Sequence, residues 1–361
     1  MTEKNDFYQL KLIDVRRETD DTVSLAFDVS NELKPVFQYI PGQYLTLKKY
    51  INGEDVRRSY SICSHNDEDL RVAIKKVPDG IFSTHANESL KVGDLLEVMP
   101  PKGHFFKKLD EKDVHHYVAF AAGSGITPIM SILKTTLSTE PESKFTLFYG
   151  NKQTDSIIFR EELEQLKNTY MGRLSIHHVL SREDVGSDWF TGRIDGKKCK
   201  FYFDHMIDVK HVDAFFLCGP HGMILEVQDV LNEYKVEEDR IRTELFFVDA
   251  DVVNRQKEEE KPEKRVPLGD STIEVILDGQ LSTFSMKTES ESILDAASRI
   301  GLDLPYSCKG GVCSTCRAKI IEGEVELLIN YALENDELAQ GFVLTCQSLP
   351  KSKKIKVDFD A

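Results

Sequence analysis

Four cysteines near the C-terminus have the type and spacing to hold a redox metal. Cys308, Cys313 and Cys316 read C-x4-C-x2-C, and Cys346 follows after 29 intervening residues, within Leu344-Thr345-Cys346-Gln347. This is the ligand spacing of a plant-type [2Fe–2S] cluster held by four thiolates. Such a cluster takes up one electron at a time, so something must feed it and something must drain it. A structural zinc site would pair two C-x2-C knuckles or add histidines at short spacing. Here the first gap is four residues, and no histidine lies between Gly222 and the C-terminus. Disulfides fit poorly, because nothing resembles a secretory leader and seven cysteines cannot all pair. Gly310 and Gly311 lack a Cβ, which lets the loop wrap closely and aim backbone N–H groups at sulfur. Cys63, Cys199 and Cys218 lie outside the motif, and a lone cysteine reads first as a small buried core residue.

Upstream, several short motifs could hold phosphates and a flat ring. Arg58-Ser59-Tyr60-Ser61 offers a guanidinium fork for a pyrophosphate, an aromatic face for a flavin and a hydroxyl for the ring's polar edge. About twenty residues on, Gly80-Ile81-Phe82-Ser83-Thr84 joins a glycine to hydroxyls and backbone amides, a turn that can cradle a phosphate. Gly123-Ser124-Gly125-Ile126-Thr127-Pro128 stands between an apolar strand and a helix-like stretch. There, backbone N–H groups and the helix dipole can hold a dinucleotide pyrophosphate, although Pro128 breaks the G-x-G-x-x-G fingerprint. Phe215-Phe216-Leu217-Cys218-Gly219-Pro220 ends another strand at the same edge. Each motif alone also fits an ordinary turn or core segment; their order along one chain gives them weight.

The elements that must position these residues change character along the chain. Thr22–Val29, Gln43–Tyr50, Arg57–Ser64, Leu70–Val77 and Asp94–Met99 read as short strands set off by turn residues, which predicts an antiparallel barrel. From about Val114, apolar runs (Tyr117–Ala122, Phe145–Tyr149, Leu174–Leu180, Ala214–Cys218) alternate with helix-like stretches such as Ile129–Leu137, Phe159–Tyr170 and Met223–Tyr234. That rhythm predicts a parallel sheet covered by helices. Between Asp249 and Arg265 the chain is highly charged and nearly devoid of apolar side chains, as expected of a tether that cannot bury a core. Beyond it, two strands (Thr272–Leu277, Thr283–Met286) and a helix around Ile293–Ile300 lead to the cysteine loop.

Taken in order, these motifs resemble the set found in the ferredoxin–NADP reductase superfamily, over nearly the whole chain. The C-terminal cluster domain narrows the resemblance to reductase components of multicomponent oxygenases. Val98-Met-Pro-Pro-Lys-Gly-His-Phe105, Leu304–Cys313 and Asn330-Tyr-Ala-Leu-Glu334 most resemble the reductases of phenylacetyl-CoA epoxidases.

The resemblance implies a multidomain fold: an antiparallel β-barrel for FAD (1–107), an α/β parallel-sheet NAD(P) domain (108–248), a charged linker (249–265) and an α+β, β-grasp-like ferredoxin domain (266–361). It implies that Arg58 binds the FAD pyrophosphate, Tyr60 stacks on the isoalloxazine and Ser61 sits near its reactive nitrogen. Gly80, Ser83 and Thr84 would hold the adenine-side phosphate. Gly123, Gly125, Thr127 and Pro128 would frame the nicotinamide nucleotide, with Cys218 and Gly219 beside the nicotinamide. Phe246 would stand near the flavin, with Phe247 one residue away as a competing register. Electrons would pass from NAD(P)H through FAD and the cluster to a di-iron oxygenase, and no side chain is assigned as a general acid or base. Leu327-Leu328-Ile329, before Asn330, is more apolar than the resemblance would lead one to expect.

The choice of nucleotide is a separate matter. Ser181 and Arg182 follow Leu174–Leu180, with Arg193 nearby, and a hydroxyl with a guanidinium suits the 2′-phosphate of NADPH. Glu183 could instead serve the ribose hydroxyls of NADH.

Net charge of −15 argues against a nucleic-acid partner. No apolar run approaches the ~20 residues that span a bilayer, and a cytoplasmic location is expected. From Val266 onward there are 15 acidic and 9 basic residues, a net of −6, so the charge is spread along the chain. Two other readings compete: a reductase serving a ring hydroxylase or acyl desaturase, and a non-catalytic redox sensor that only holds a cluster.

Overall fold

The computed structural model describes residues 7–246, 270–287 and 291–361. The charged tether expected at 249–265 and Phe247 lie outside the described residues.

Short alternating segments near the N-terminus form six strands: β1 (Tyr8–Thr19), β2 (Thr22–Asp28), β3 (Tyr44–Ile51), β4 (Glu54–Ser61), β5 (Leu70–Lys75) and β6 (Leu95–Val98). They order as β4-β3-β6-β1-β2-β5, with antiparallel pairing. Just beyond β4, Ile62 bridges Val72, and the Cys63 N–H donates to the Arg71 carbonyl at 2.9 Å. That joins the two outer strands of the order and closes the sheet into the expected barrel. Leu12, Leu25, Phe27, Leu45, Val72 and Ile74 are buried inside it. The sequence reading missed β1, whose alternation is obscured by a run of charged residues.

One expectation is corrected here. Gly80–Thr84 is not a plain turn: Gly80 caps helix α1 (Ile81–Glu88), which packs on the barrel through Phe82 and Ala86.

The second sheet is wholly parallel: β7 (His116–Ala122), β8 (Lys144–Asn151), β9 (Leu174–Leu180), β10 (Ala214–Cys218) and β11 (Ile241–Glu244), ordered β11-β10-β7-β8-β9. Helices α2 (Ile126–Thr139), α3 (Arg160–Thr169), α4 (Gly196–His205) and α5 (His221–Glu233) connect its strands. Tyr117, Phe120, Phe145, Phe148 and Phe216 are almost fully buried, as two-sided coverage requires. The chain runs from β7 to β8 on one side and resumes at β10 on the other. The strand order therefore reverses between β7 and β10, which opens a crevice at their C-terminal ends, where open α/β sheets bind ligands. The barrel and this sheet form one compact unit, Phe7–Val56 with Tyr60–Phe246.

The C-terminal residues form a mixed sheet. Strands β12 (Asp270–Leu277), β13 (Gln280–Lys287), β14 (Arg317–Glu322), β16 (Phe342–Leu344) and β18 (Lys354–Asp358) order as β13-β12-β18-β14-β16. Among the described residues of this sheet only the β12–β18 pair is parallel. β15 (Val325–Leu327) pairs separately with β17 (Ser348–Pro350). Helix α6 (Ile293–Arg299) lays Ile293, Leu294 and Ala297 onto Ile273, Val275 and Ile355, and a short α7 (Asn335–Ala339) follows. Sheet plus packed helix is the expected β-grasp-like arrangement. Five of its seven strands escaped the sequence reading, being only three to six residues long.

Candidate functional site

In the C-terminal unit the four motif cysteines come together as free thiols, Cys313, Cys316 and Cys346 buried and Cys308 partly exposed. They form two adjacent pairs. The Cys313 thiol beside Cys308, followed by the Gly310, Val312 and Cys313 amides, holds Cys308 down to about 6 despite its burial. Cys346 is likewise lowered, by Cys316 first and then by the Gly311 amide and the Gln347 side chain. Cys313 and Cys316 are raised as the donors of each pair, and burial raises them further. The Gly310 N–H donates to Cys308 Sγ at 3.3 Å and the Cys308 N–H to Cys313 Sγ at 3.4 Å. The Thr345 N–H and Oγ1 both donate to the Cys316 carbonyl, at 3.1 and 3.0 Å, which fixes Cys346 next to its partner.

Backbone conformation explains the loop's glycines only in part. Gly311 has φ +77°, and a Cβ there would lie 2.9 Å from the Ile329 carbonyl. Gly310 meets no such obstacle, so its contribution is the amide aimed at sulfur. Four converging thiols with backbone N–H donors to sulfur fit a [2Fe–2S] cluster.

In the barrel, β4 carries Arg58, Tyr60 and Ser61 toward its C-terminal end. Arg58 is exposed, with its guanidinium donating to the Arg57 carbonyl at 2.7 Å. Tyr60 is half-buried, its ring 5.6 Å from that of Phe82 on α1, so the structure brings the first two motifs together. Ser83 is buried; its hydroxyl donates to the Gly80 carbonyl and accepts from the Val77 N–H, both at 3.3 Å. The first-turn amides of α1 are further donors suited to a phosphate. The Thr84 N–H already closes the helix onto the Gly80 carbonyl.

At the crevice between β7 and β10 the two glycine turns meet. Gly123–Gly125 forms a 3-10 turn leading into α2, and a Cβ on Gly125 would stand 2.1 Å from the Cys218 carbonyl. Only glycine allows that approach. A Cβ on Gly123 would meet nothing within 4 Å, so this face of the turn is open, as a bound nucleotide requires. The Tyr149 hydroxyl fixes the turn by donating to the Gly123 carbonyl at 2.9 Å. Thr127 is buried and donates to the Ser124 carbonyl at 3.0 Å, a bond that shapes the turn. Pro128 sits in the first turn of α2, where an N–H would lack an intrahelical partner. Gly219 lies against Ala122 and Met223.

The sequence reading missed Glu244 as a site residue. It is the last residue of β11, in register with Cys218 on β10, and its Oε2 accepts from the Ser61 hydroxyl of the barrel at 3.1 Å. The residue as a whole is only partly buried, but protein surrounds its carboxyl group. That burial pushes it up to about 8, against the Ser61 hydrogen bond, which lowers it. Near neutral pH Glu244 therefore holds a proton. Burial, and then Glu244, also keep the Cys218 thiol well above its ordinary value, so it is neutral. Phe246 follows, packed against the sheet's core. The sequence signal was a lone acid in Arg-Thr-Glu-Leu-Phe, opening an apolar run.

Ser181 and Arg182 lie at the same sheet edge, after β9. Their amides donate to the Asn151 and Lys152 carbonyls at 2.9 and 2.7 Å. A parallel bridge between Leu180 and Thr191 brings the stretch leading to Arg193 alongside. Glu183 is turned elsewhere: its carboxylate accepts from the Thr154 N–H at 2.7 Å and the Thr154 hydroxyl at 2.8 Å, and those bonds lower it.

Comparison with known proteins follows the same division. Residues 9–106 match an oxidoreductase FAD-binding domain, residues 120–229 an oxidoreductase NAD-binding domain and residues 275–351 a 2Fe-2S iron-sulfur cluster binding domain. The chain is 42% identical over 356 residues to one of the subunits of 1,2-phenylacetyl-CoA epoxidase from Escherichia coli strain K12, covering 98% of each. It is 32% identical over 356 residues to the ferredoxin reductase component of 3-ketosteroid-9-alpha-monooxygenase from Rhodococcus rhodochrous, covering 96% of this chain and 95% of that one. Its fold matches phthalate dioxygenase reductase with a TM-score of 0.59 at 23% identity, covering 98% of each chain. It also matches an intact type IV self-sufficient cytochrome P450 monooxygenase with a TM-score of 0.69 at 19% identity, spanning 41% of that chain. With its barrel, its switch-point crevice and its four-thiol loop, the chain belongs to the family of pyridine-nucleotide-oxidising FAD and [2Fe–2S] reductases that includes the reductase components of oxygenases.

Proposed function

We propose that this chain oxidises NADPH and delivers the electrons singly to the di-iron oxygenase of a phenylacetyl-CoA epoxidase, in the cytoplasm. FAD, when bound, supplies the conversion of an electron pair into single electrons, and the [2Fe–2S] cluster carries them one by one. The observation that carries the reading is the meeting of Ser61, Cys218 and Glu244 at the β7–β10 crevice, where two cofactor domains face each other. The full-length likeness to a 1,2-phenylacetyl-CoA epoxidase subunit supports the acceptor.

Arg58 and the α1 amides after Gly80, with Ser83 and Thr84 shaping that turn, would hold the FAD phosphates. Tyr60 and Phe246 would flank its ring, and Ser61 would present a hydroxyl to its polar edge. Gly123, Gly125, Thr127 and Pro128 would frame the nucleotide, Cys218 and Gly219 would border the nicotinamide, and Ser181 with Arg182 would take the 2′-phosphate. Cys308 with Cys313, and Cys316 with Cys346, would each supply two thiolates to the cluster. Glu244 keeps a proton at its carboxyl beside Ser61, so the crevice gains no buried negative charge. Domain limits of 1–107, 108–248 and 266–361, joined by 249–265, belong to the same reading.

Anaerobic addition of NADPH to the purified protein should bleach the flavin and then produce the paramagnetic signal of a reduced cluster. Bleaching without that signal would sink the electron path. A second acceptor class is favoured by the apolar Leu327–Ile329 stretch, with Leu328 exposed, and by the likeness to a 3-ketosteroid-9-alpha-monooxygenase reductase component. Reconstitution with each oxygenase separates the two.

A further inference from the structure

The barrel and the parallel sheet meet along a seam that the cofactor motifs do not explain. Its apolar part places Cys63, Ala73 and Phe105 in the same core as Ile129, Leu133 and Phe216, with the Phe105 and Phe216 rings edge to face at 5.6 Å. Its polar part is concentrated on one face of α2. Ser131, Lys134 and Ser138 stand three and four residues apart, so their side chains line one side of the helix. All three reach the loop that follows β4. The Ser131 hydroxyl donates to the Ser64 carbonyl at 2.8 Å, and Ser138 Oγ lies 2.9 Å from His65 Nε2. Lys134 Nζ donates to Glu68 Oε2 at 2.7 Å and to Glu162 Oε1 on α3 at 2.6 Å, although its side chain is only 8% exposed. Burial alone would lower the ammonium; Glu162 and Glu68 outweigh it and hold Lys134 above its ordinary value. Glu68 also accepts from the His65 N–H at 3.0 Å, which shapes the loop around the ammonium.

Position along the chain gives this knot its meaning. α2 is capped by Gly125, the residue pressed onto Cys218, and Lys134 lies on the same helix. The loop that holds Glu68 follows β4, which carries Tyr60 and Ser61. Moving Lys134 against Glu68 therefore moves the nucleotide turn against the flavin strand.

We infer that Lys134 is a positioning residue that locks helix α2 to the Ser64–Glu68 loop and so sets the approach of the nicotinamide turn to the flavin strand. The inference rests on the reading that NADPH reduces FAD at the β7–β10 crevice.

The discriminating variant is Glu68→Ala, which cuts the link of Lys134 to the barrel, keeps the Ser131 and Ser138 bonds to the loop, and leaves Lys134 paired with Glu162. In anaerobic stopped-flow mixing of the FAD- and cluster-loaded protein with NADPH, its limiting rate of flavin bleaching should fall about tenfold, because small misplacements of reacting groups are costly. The NADPH dissociation constant should stay within about twofold, since the nucleotide's own contacts are untouched. Glu68→Gln, which keeps an acceptor for the ammonium and for the His65 amide, should recover most of the rate. Amide exchange of residues 62–69, measured without nucleotide, should quicken in Glu68→Ala while exchange in α3 stays as in the parent. Lys134→Met should lower the limiting rate at least as far; should it fail to fold, the Glu68 pair decides alone. A bleaching rate unchanged in Glu68→Ala, an effect confined to the dissociation constant, or a Glu68→Gln variant as slow as Glu68→Ala would each overturn the inference. If the parent protein itself is not bleached by NADPH, the function proposed above fails instead.

Discussion

Three of the four cluster cysteines lie within nine residues, Cys308 to Cys316, and Cys346 is brought to them by Thr345, which bonds the Cys316 carbonyl. The crevice at the β7–β10 reversal draws on Ser61, Gly125, Cys218 and Glu244, each on a different element and spread over nearly two hundred residues. One region is specified by ligand chemistry and local loop shape; the other exists only once a barrel and a parallel sheet have docked. The two should therefore fail separately, and variants can be ordered by how cleanly they part them.

The largest effect is expected from Cys316→Ser. Losing a thiolate ligand should remove the cluster signal and cut NADPH-driven reduction of a one-electron acceptor by more than ~100-fold, since loss of even an outer partner of a ligand costs 10–100-fold. Flavin bleaching by NADPH should remain within about twofold of the parent, because hydride delivery uses none of these thiols. Iron content and stopped-flow absorbance check both halves. A parallel collapse of flavin bleaching would show that the two regions are not independent.

Gly125→Ala makes the converse cut. The added Cβ cannot occupy a position 2.1 Å from the Cys218 carbonyl, so the turn must shift. A displacement near 1 Å costs about 100-fold in a reaction that depends on placement, and that loss is expected in flavin bleaching by NADPH. Dithionite should still reduce the cluster to give the parent's paramagnetic signal.

Glu244→Gln sharpens the contrast through pH. In the folded protein burial raises this carboxyl to about 8, so the native state keeps a proton that the unfolded chain releases above the ordinary carboxylate range. The native state binds more protons throughout that window, so stability must fall as pH rises from about 5 to 8, by at most about 1.4 kcal/mol per pH unit from this group. Glutamine cannot ionise, so the variant should lose that decline and gain on the parent at pH 8. Urea unfolding midpoints across the range measure it. Equal slopes in variant and parent would place the ionised carboxylate in the folded crevice.

These differences also explain what could be read from the chain beforehand. The cysteine loop was legible because metal ligation fixes residue type and spacing together, and the parallel sheet because its strands are apolar on both faces. Gly123, Gly125 and Cys218 were placed at one edge correctly, since strand direction alone brings their turns together. Glu244 and Lys134 were not legible: an isolated acid or lysine in sequence looks solvated, and only docking of the barrel surrounds them. The local bonding of the Ser83 and Thr127 hydroxyls was not legible either. Both bond a carbonyl of their own turn, a pairing set by backbone geometry that residue type alone does not reveal.

The smallest effect is expected at the far end of the sheet edge, where Arg182 follows β9. Glu183, the residue that could have favoured NADH, has both carboxylate oxygens engaged by Thr154 across the β8–α3 connection. That leaves Ser181 and the exposed Arg182 as the groups suited to a 2′-phosphate, with Arg193 following the bridge to Leu180. A charge-assisted contact at so exposed a position is partly screened by solvent, so Arg182→Ala should lower kcat/KM for NADPH only about tenfold, or ~1.4 kcal/mol. The loss should appear mainly in KM, since a remote phosphate contact is made equally in ground and transition states. NADH turnover should be unchanged, which makes the ratio of the two substrates the quantity to measure. Salt should narrow that ratio in the parent and leave it unaltered in Arg182→Ala, because only the parent would hold a screened ion pair. A parent enzyme that prefers NADH, or an Arg182→Ala variant with the parent's ratio, would move the nucleotide's distinguishing contact away from β9.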